Sequence, residues 1–272
     1  VEGMATGSKH QPQRILLLDP GGGEPCFKAF NARLRLPTTG LGSRRAKQLH
    51  LPADDAKPWT VFWHYESESW SAELVRLLLS HPEAEVTAIS SVSFEGKAIS
   101  EVYPAYFNLC DMVCETAGQV VDKCDVVFAA LPHGLSQELA KACDEKGKAF
   151  IDLGADFRLD SEEEYQKWYG GTYQDKELHE KAVYGLPELF RKDILGKRVI
   201  ANPGCYTTCS ILTAYPLVKE GLIDPDTLII DAKSGTSGAG RGAKTPNLFC
   251  EVNESMKAYG VTTHRHTPEI EE

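Results

Sequence analysis

The sequence predicts an α/β fold built on a doubly wound parallel sheet, and three observations carry that expectation. Strand-like and helix-like stretches alternate over most of the 272 residues, as crossover connections between parallel strands require. Residues 125–131 (DVVFAAL) are almost continuously apolar, the pattern of a strand buried on both faces. Residues 59–90 read as strand, amphipathic helix, strand, the unit from which dinucleotide folds are assembled.

Composition bounds the rest. A chain of this length, 42% hydrophobic, buries one large core or two ordinary domains. Its net charge of −10 argues against a nucleic-acid or anionic-membrane partner. That charge is uneven: nine Lys/Arg face five Asp/Glu in residues 1–59, leaving −14 for residues 60–272. The eight cysteines are scattered, unlike those of a small secreted scaffold. No apolar run approaches a membrane span, and residues 1–30 lack a signal-peptide layout. Reduced thiols in a cytoplasm are expected, with an organellar address left open by the basic first segment.

Residues 1–59 are expected to be an irregular extension. The glycines at 21–23 are followed by Glu24-Pro25-Cys26, so no helix opens behind them to make a phosphate cradle. Residues 59–63 are β-prone, and 72–81 form a helix with Leu74, Leu77 and Leu78 as its stripe. Pro82 ends it, and a strand follows at 86–90. The joint at 64–71 holds no glycine and carries Glu66 and Glu68, so on physical grounds it is a poor phosphate site.

The buried strand 125–131 ends in Pro132-His133-Gly134. A helix over 135–146 and a strand over 149–153 come next, then a loop carrying Arg158, a cation able to sit buried. Residues 160–185 are expected as a short helix and a loop at the sheet edge. A strand at 198–201 leads through Pro203 and Gly204 into a helical pattern. Asp224-Pro225 is a turn and 227–232 a strand. The small residues 234–240, between Lys233 and Arg241, fit either a flexible loop or a ring of exposed N–H groups for an anion. At the end, Thr267 as N-cap, Pro268 and Glu269 signal a helix, which the chain leaves after about one turn.

Cys205 falls at the start of the helix after Pro203-Gly204. Unpaired N–H groups and the positive end of the helix dipole favour a thiolate there, and a thiolate attacks electrophilic carbon. A small buried structural cysteine fits the same spacing. Cys205, Cys209, His264 and His266 are too loosely spaced for a zinc site, and no metal is expected.

Six motifs in order then resemble the N-acetyl-γ-glutamyl-phosphate reductase family, relatives of aspartate-semialdehyde dehydrogenase. They are residues 130–134 (ALPHG), 152–158 (DLGADFR), 184–188 (YGLPE), 201–206 (ANPGCY), 231–241 (DAKSGTSGAGR) and 263–270 (THRHTPEI). The resemblance spans about residues 72–272. It implies a Rossmann-like NAD(P)-binding domain over 60–203 and an incomplete α+β catalytic and dimerisation domain over 204–272. It also implies NADP(H) as cofactor, a small acyl-phosphate substrate and a homo-oligomer.

By the same resemblance, Cys205 attacks the acyl phosphate, and one of His264 and His266, preferably His264, is the acid/base. Arg158 and Arg265 hold substrate oxygens, beside Asn202 and Tyr206. Ser90, Pro132, His133, Gly134, Ser237 and Gly238 border the cofactor, although His133 fits an ordinary turn residue equally well.

Three departures from the family pattern stand out. Its glycine-rich loop would fall on residues 62–71, where every glycine is gone. Val92 stands where an Arg for a 2′-phosphate is common. The second domain is expected to be truncated after the last motif. A non-catalytic remnant of the family and a cysteine hydrolase built on Cys205 and His264 are the competing expectations.

Overall fold

The computed structural model describes residues 60–65, 70–240 and 242–272. The expected extension 1–59, residues 66–69 of the glycine-free joint, and Arg241 lie outside the described residues.

Strand β1 (Thr60–Tyr65) leads to helix α1 (Trp70–Leu79), then to β2 (Glu85–Val86) and β3 (Ile89–Ser91). The single strand expected at 86–90 is thus broken in two. Thr87 leaves the ladder and donates its hydroxyl to the Lys123 carbonyl at 3.2 Å, while Ala88 is fully buried. Next come α2 (Ile99–Val102), β4 (Cys114–Glu115) and α3 (Ala117–Val120). Then follow β5 (Val126–Ala130), α4 (Ser136–Glu145) and β6 (Ala149–Asp152).

The edge expected as one helix and a loop holds α5 (Glu162–Tyr169), α6 (Lys176–Lys181) and the short strand β7 (Val183–Tyr184). Helix α5 begins on Ser161, whose side chain accepts from Glu164 N–H, and ends on Gly170 at φ 76°, the left-handed stop that glycine adopts without strain. Helix α7 (Pro187–Ile194), β8 (Val199–Ala201) and α8 (Cys205–Lys219) complete the central body. After it come α9 (Phe249–Val252) and α10 (Thr267–Glu271).

All eight strands join one parallel sheet in the order β4-β3-β1-β5-β6-β8-β7, with β2 also on β1. Phe128, Ile151 and Ile200 are register partners across β5, β6 and β8, as are Val127, Phe150 and Val199. The first row packs with Leu74, Leu77 and Leu78 of α1, and the second with Ala140 and Cys143 of α4. Side chains alternate between faces along a strand, so a doubly covered sheet needs the continuous apolar runs that the sequence supplies.

Residues 205–272 contribute helices and short turns. The strand expected at 227–232 does not form. A 3-10 turn over Pro225–Thr227 is followed by unpaired chain in which Ile229 is 90% exposed. A strand is held by its neighbours, and no described segment pairs with this one. The N-cap of α10 is His266 rather than Thr267. Among the described residues, no helix is long and apolar enough to cross a membrane.

Because the strands are parallel, the segments after β5, β6 and β8 all leave from one edge of the sheet. That edge is where open α/β sheets bind ligands, at the point where the strand order reverses. Here the reversal lies between β1 and β5.

Candidate active site

Cys205 is the first residue of α8, with Gly204 as N-cap at φ −65° and ψ 153°. Thr208 N–H is the first to bond back, to the Gly204 carbonyl at 2.8 Å. The amides of the first turn therefore lie at the helix's positive end beside the half-buried Cys205 side chain.

The turn before Cys205 is held from the far end of the chain. Gly204 N–H donates to Glu269 Oε1 at 2.8 Å, and Tyr184 hydroxyl donates to the same oxygen at 2.7 Å. Arg158 reaches Glu269 Oε2 at 3.3 Å. Both charges of that pair are buried. Burial pushes the Glu269 carboxyl upward, but Arg158, His266, Gly204 N–H and Tyr184 outweigh it and hold it below its ordinary value.

Gly204 has no room for a side chain. An added Cβ would sit 2.6 Å from Cε1 and Nε2 of His266 and 2.9 Å from Glu269 Oε2. The His266 ring edge thus lies against the turn that leads into Cys205. Its Nδ1 is buried without a hydrogen-bond partner, as are Thr207 Oγ1 and Ser210 Oγ in the first turns of α8. Buried polar atoms left unpaired are uncommon, and all three lie on segments flanking Cys205.

His264 and His266 rings are 4.9 Å apart, and Tyr206 lies 5.1 Å and 6.1 Å from them. His266 backbone N–H donates to His264 Nδ1 at 3.1 Å, so neutral His264 carries its proton on Nε2. Burial, then Arg265, lowers the His264 pKa against the pull of Glu269. Burial first, with Arg158, His264 and Arg265, brings His266 down to about 4. Both imidazoles are therefore neutral at pH 7.

The structure gathers most of the expected residues. Arg265 lies over the Tyr169 ring at 5.8 Å, and His133 meets the same ring edge-on at 4.8 Å. Burial, then Arg265, Arg158 and His266, lowers the His133 pKa to about 4. Gly134 adopts φ 87°, and a Cβ there would meet open space.

Arg158 and Asn202 are wired inward. Arg158 donates to the Asn202 carbonyl at 2.8 Å and the Leu153 carbonyl at 2.9 Å, besides its pair with Glu269. Asn202 Nδ2 donates to the Pro203 carbonyl at 3.1 Å. Ser90 is fully buried in the middle of β3, in register with His64. Ser237 and Gly238 lie in a 3-10 turn over Thr236–Ala239, and Lys233 turns back to Asp231 at 2.5 Å.

Sequence reasoning missed Glu269 and Tyr184, which it placed in motifs without a role. It also missed Tyr259, whose hydroxyl donates to Tyr206 hydroxyl at 3.0 Å.

A nicotinamide cofactor fits this edge in part. The strand-order reversal between β1 and β5, the open Gly134 turn and His133 suit a flat ring, whereas residues 66–69 lie outside the described residues.

Comparison with known proteins agrees. Residues 69–197 match the family described as semialdehyde dehydrogenase, NAD binding domain, and residues 205–272 match semialdehyde dehydrogenase, dimerisation domain. The N-acetyl-gamma-glutamyl-phosphate reductase of Clostridium beijerinckii is 55% identical over 201 residues, 74% of this chain and 58% of that protein. The protein of the same name from Lachnospira eligens is 55% identical over 203 residues, again 74% and 58%. The chain thus spans less than two thirds of the length of these relatives. A solved aspartate semialdehyde dehydrogenase with NADP from Candida albicans is 18% identical, with a TM-score of 0.43 over 60% of this chain and 48% of that one.

Proposed function

This chain belongs to the semialdehyde dehydrogenase family, and on that premise we propose that it reduces N-acetyl-γ-glutamyl phosphate to N-acetylglutamate semialdehyde, with NADPH as reductant. The observation that carries the proposal is Cys205 on the first turn of α8, with His266 packed on its turn and His264 beside it.

In this reading His266 takes the thiol's proton, supported by its ring packing on the Gly204 turn, and the helix end stabilises the thiolate. The thiolate attacks the acyl carbon; the bond from carbon to the phosphate oxygen breaks, and phosphate leaves. That forms a thioester on Cys205. The nicotinamide cofactor, when bound, supplies the hydride that reduces the thioester. His264 donates a hydrogen bond from Nε2–H to the carbonyl oxygen as negative charge develops on it, and collapse of that alkoxide breaks the C–S bond, returning the thiolate and freeing the aldehyde. Arg265, with no ion-pair partner among the described residues, is the cation left to meet substrate oxygens. Arg158, committed to Glu269, serves that end only by holding the turn. The family's dimerisation domain supports a homo-oligomer as the working form.

Cys205→Ser is expected to abolish NADPH-dependent reduction of the acyl phosphate, and alkylation of the wild-type thiol to do the same. Unchanged turnover after either treatment overturns the assignment of the nucleophile. The glycine-free sequence at 62–71 favours a second reading, a non-catalytic relative. A chain that shows no NADPH binding by fluorescence at millimolar cofactor supports that reading over the first.

A further inference from the structure

Behind the turn after β5 lies a carboxylate that the reaction above does not use. Asp156 is fully buried. Its Oδ1 accepts from Gly134 N–H at 2.7 Å and from Tyr165 hydroxyl at 2.8 Å. Its Oδ2 accepts from Ser136 N–H at 2.9 Å, at the first residue of α4. Helix α4 has no cap from its own N-cap side chain, Leu135, so Asp156, twenty residues downstream of Ser136, supplies the anion that such a helix end favours.

The carboxylate is itself held firmly. Asp156 N–H donates to Asp152 Oδ2 at 3.2 Å, and Asp152 Oδ1 accepts from Ser136 hydroxyl at 2.7 Å and Gly154 N–H at 2.9 Å. Tyr165 is fixed by stacking with Tyr169 at 5.5 Å, the ring that also meets His133 and Arg265.

Two consequences follow. The Ser136 N–H at the start of α4 is taken from within by Asp156 and is not free for a cofactor phosphate. Gly134, at φ 87°, has its N–H pinned and its Cα side open, so the turn is rigid where it faces the crevice.

We propose that Asp156 is a positioning residue for the cofactor: by clamping Gly134 and Ser136 it fixes the Pro132-His133-Gly134 turn against which the nicotinamide rests. This deepens the function proposed above and rests on it.

The full chain carrying Asp156→Asn keeps the side chain's shape and removes its charge. The Kd for NADPH, read by fluorescence titration of the chain without substrate, and with it the KM for NADPH, are expected to rise about tenfold or more, as loss of charge-assisted hydrogen bonds predicts, with the KM for the acyl phosphate within about twofold of wild type. A role in general stability alone moves both constants together, and that result overturns the proposal. An unmoved NADPH KM overturns it as well. If Asp156→Asn does not fold, Tyr165→Phe, which removes one donor and keeps the ring stack, decides: a two- to fivefold rise in NADPH KM is expected, and wild-type affinity overturns the proposal. A wild-type chain that binds no NADPH defeats the cofactor reading itself and this proposal with it, an outcome distinct from wild-type binding that Asp156→Asn leaves unchanged.

Discussion

His266 sits where a charged ring is costly, buried between Gly204 and the Arg158–Glu269 ion pair, and its pKa near 4 has a consequence for stability. The folded chain resists protonating it, while the unfolded chain takes that proton near pH 6.5. Between those values the unfolded state binds more protons, so this residue makes stability fall as pH drops from about 6.5 towards 4. In urea unfolding at pH 7, 5.5 and 4.5, His266→Gln is expected to lose stability less steeply than wild type. Parallel pH slopes in the two proteins overturn the assignment. At this scale the sequence was legible in part. Pro203-Gly204 before a helical pattern placed Cys205 at a helix start, which the structure bears out. Glu269 was not legible, because its partners Gly204, Tyr184 and Arg158 lie 65, 85 and 111 residues away, and local pattern carries no information about such distances.

Helix α10 shows how an element too short to stand alone is kept in place. Five residues are below the length at which a helix holds in water. Pro268 and Glu269 are nonetheless buried, and Glu269 makes three polar contacts to other elements. Arg158→Ala would leave that carboxylate buried beside no cation, a loss of about 3–5 kcal/mol. Chemical denaturation is the measurement, and a change below about 1 kcal/mol, the usual worth of an exposed pair, would overturn the clamp. The segment at 227–232 is the opposite case. Its β-prone composition was read as a strand, yet composition states only a willingness to pair. With no described neighbour alongside, the backbone stays single and Ile229 stands out in solvent.

For the molecule as a whole, the sheet was the most legible part, since rows such as Phe128, Ile151 and Ile200 need apolar residues on both faces and the sequence writes them as continuous runs. Much less legible was the surface of residues 205–272, where Leu222, Ile229, Phe249, Met256 and Val261 are each at least 69% exposed. Apolar exposure on that scale marks an interface, in keeping with the dimerisation-domain match. Analytical ultracentrifugation is expected to show self-association of the chain, weakened at least tenfold in Kd by Ile229→Asp with Phe249→Asp; a monomeric wild type at tens of micromolar overturns it. The clamp on Cys205 also has a consequence in time. The carboxylate that holds the turn before Cys205 is encoded 65 residues after Gly204. At about 5–20 residues per second of synthesis, the ribosome adds that residue roughly 3–13 seconds after the thiol. During that interval the nascent chain carries its cysteine before the carboxylate that holds the preceding turn exists, so the proposed centre is completed only once residue 269 has been added.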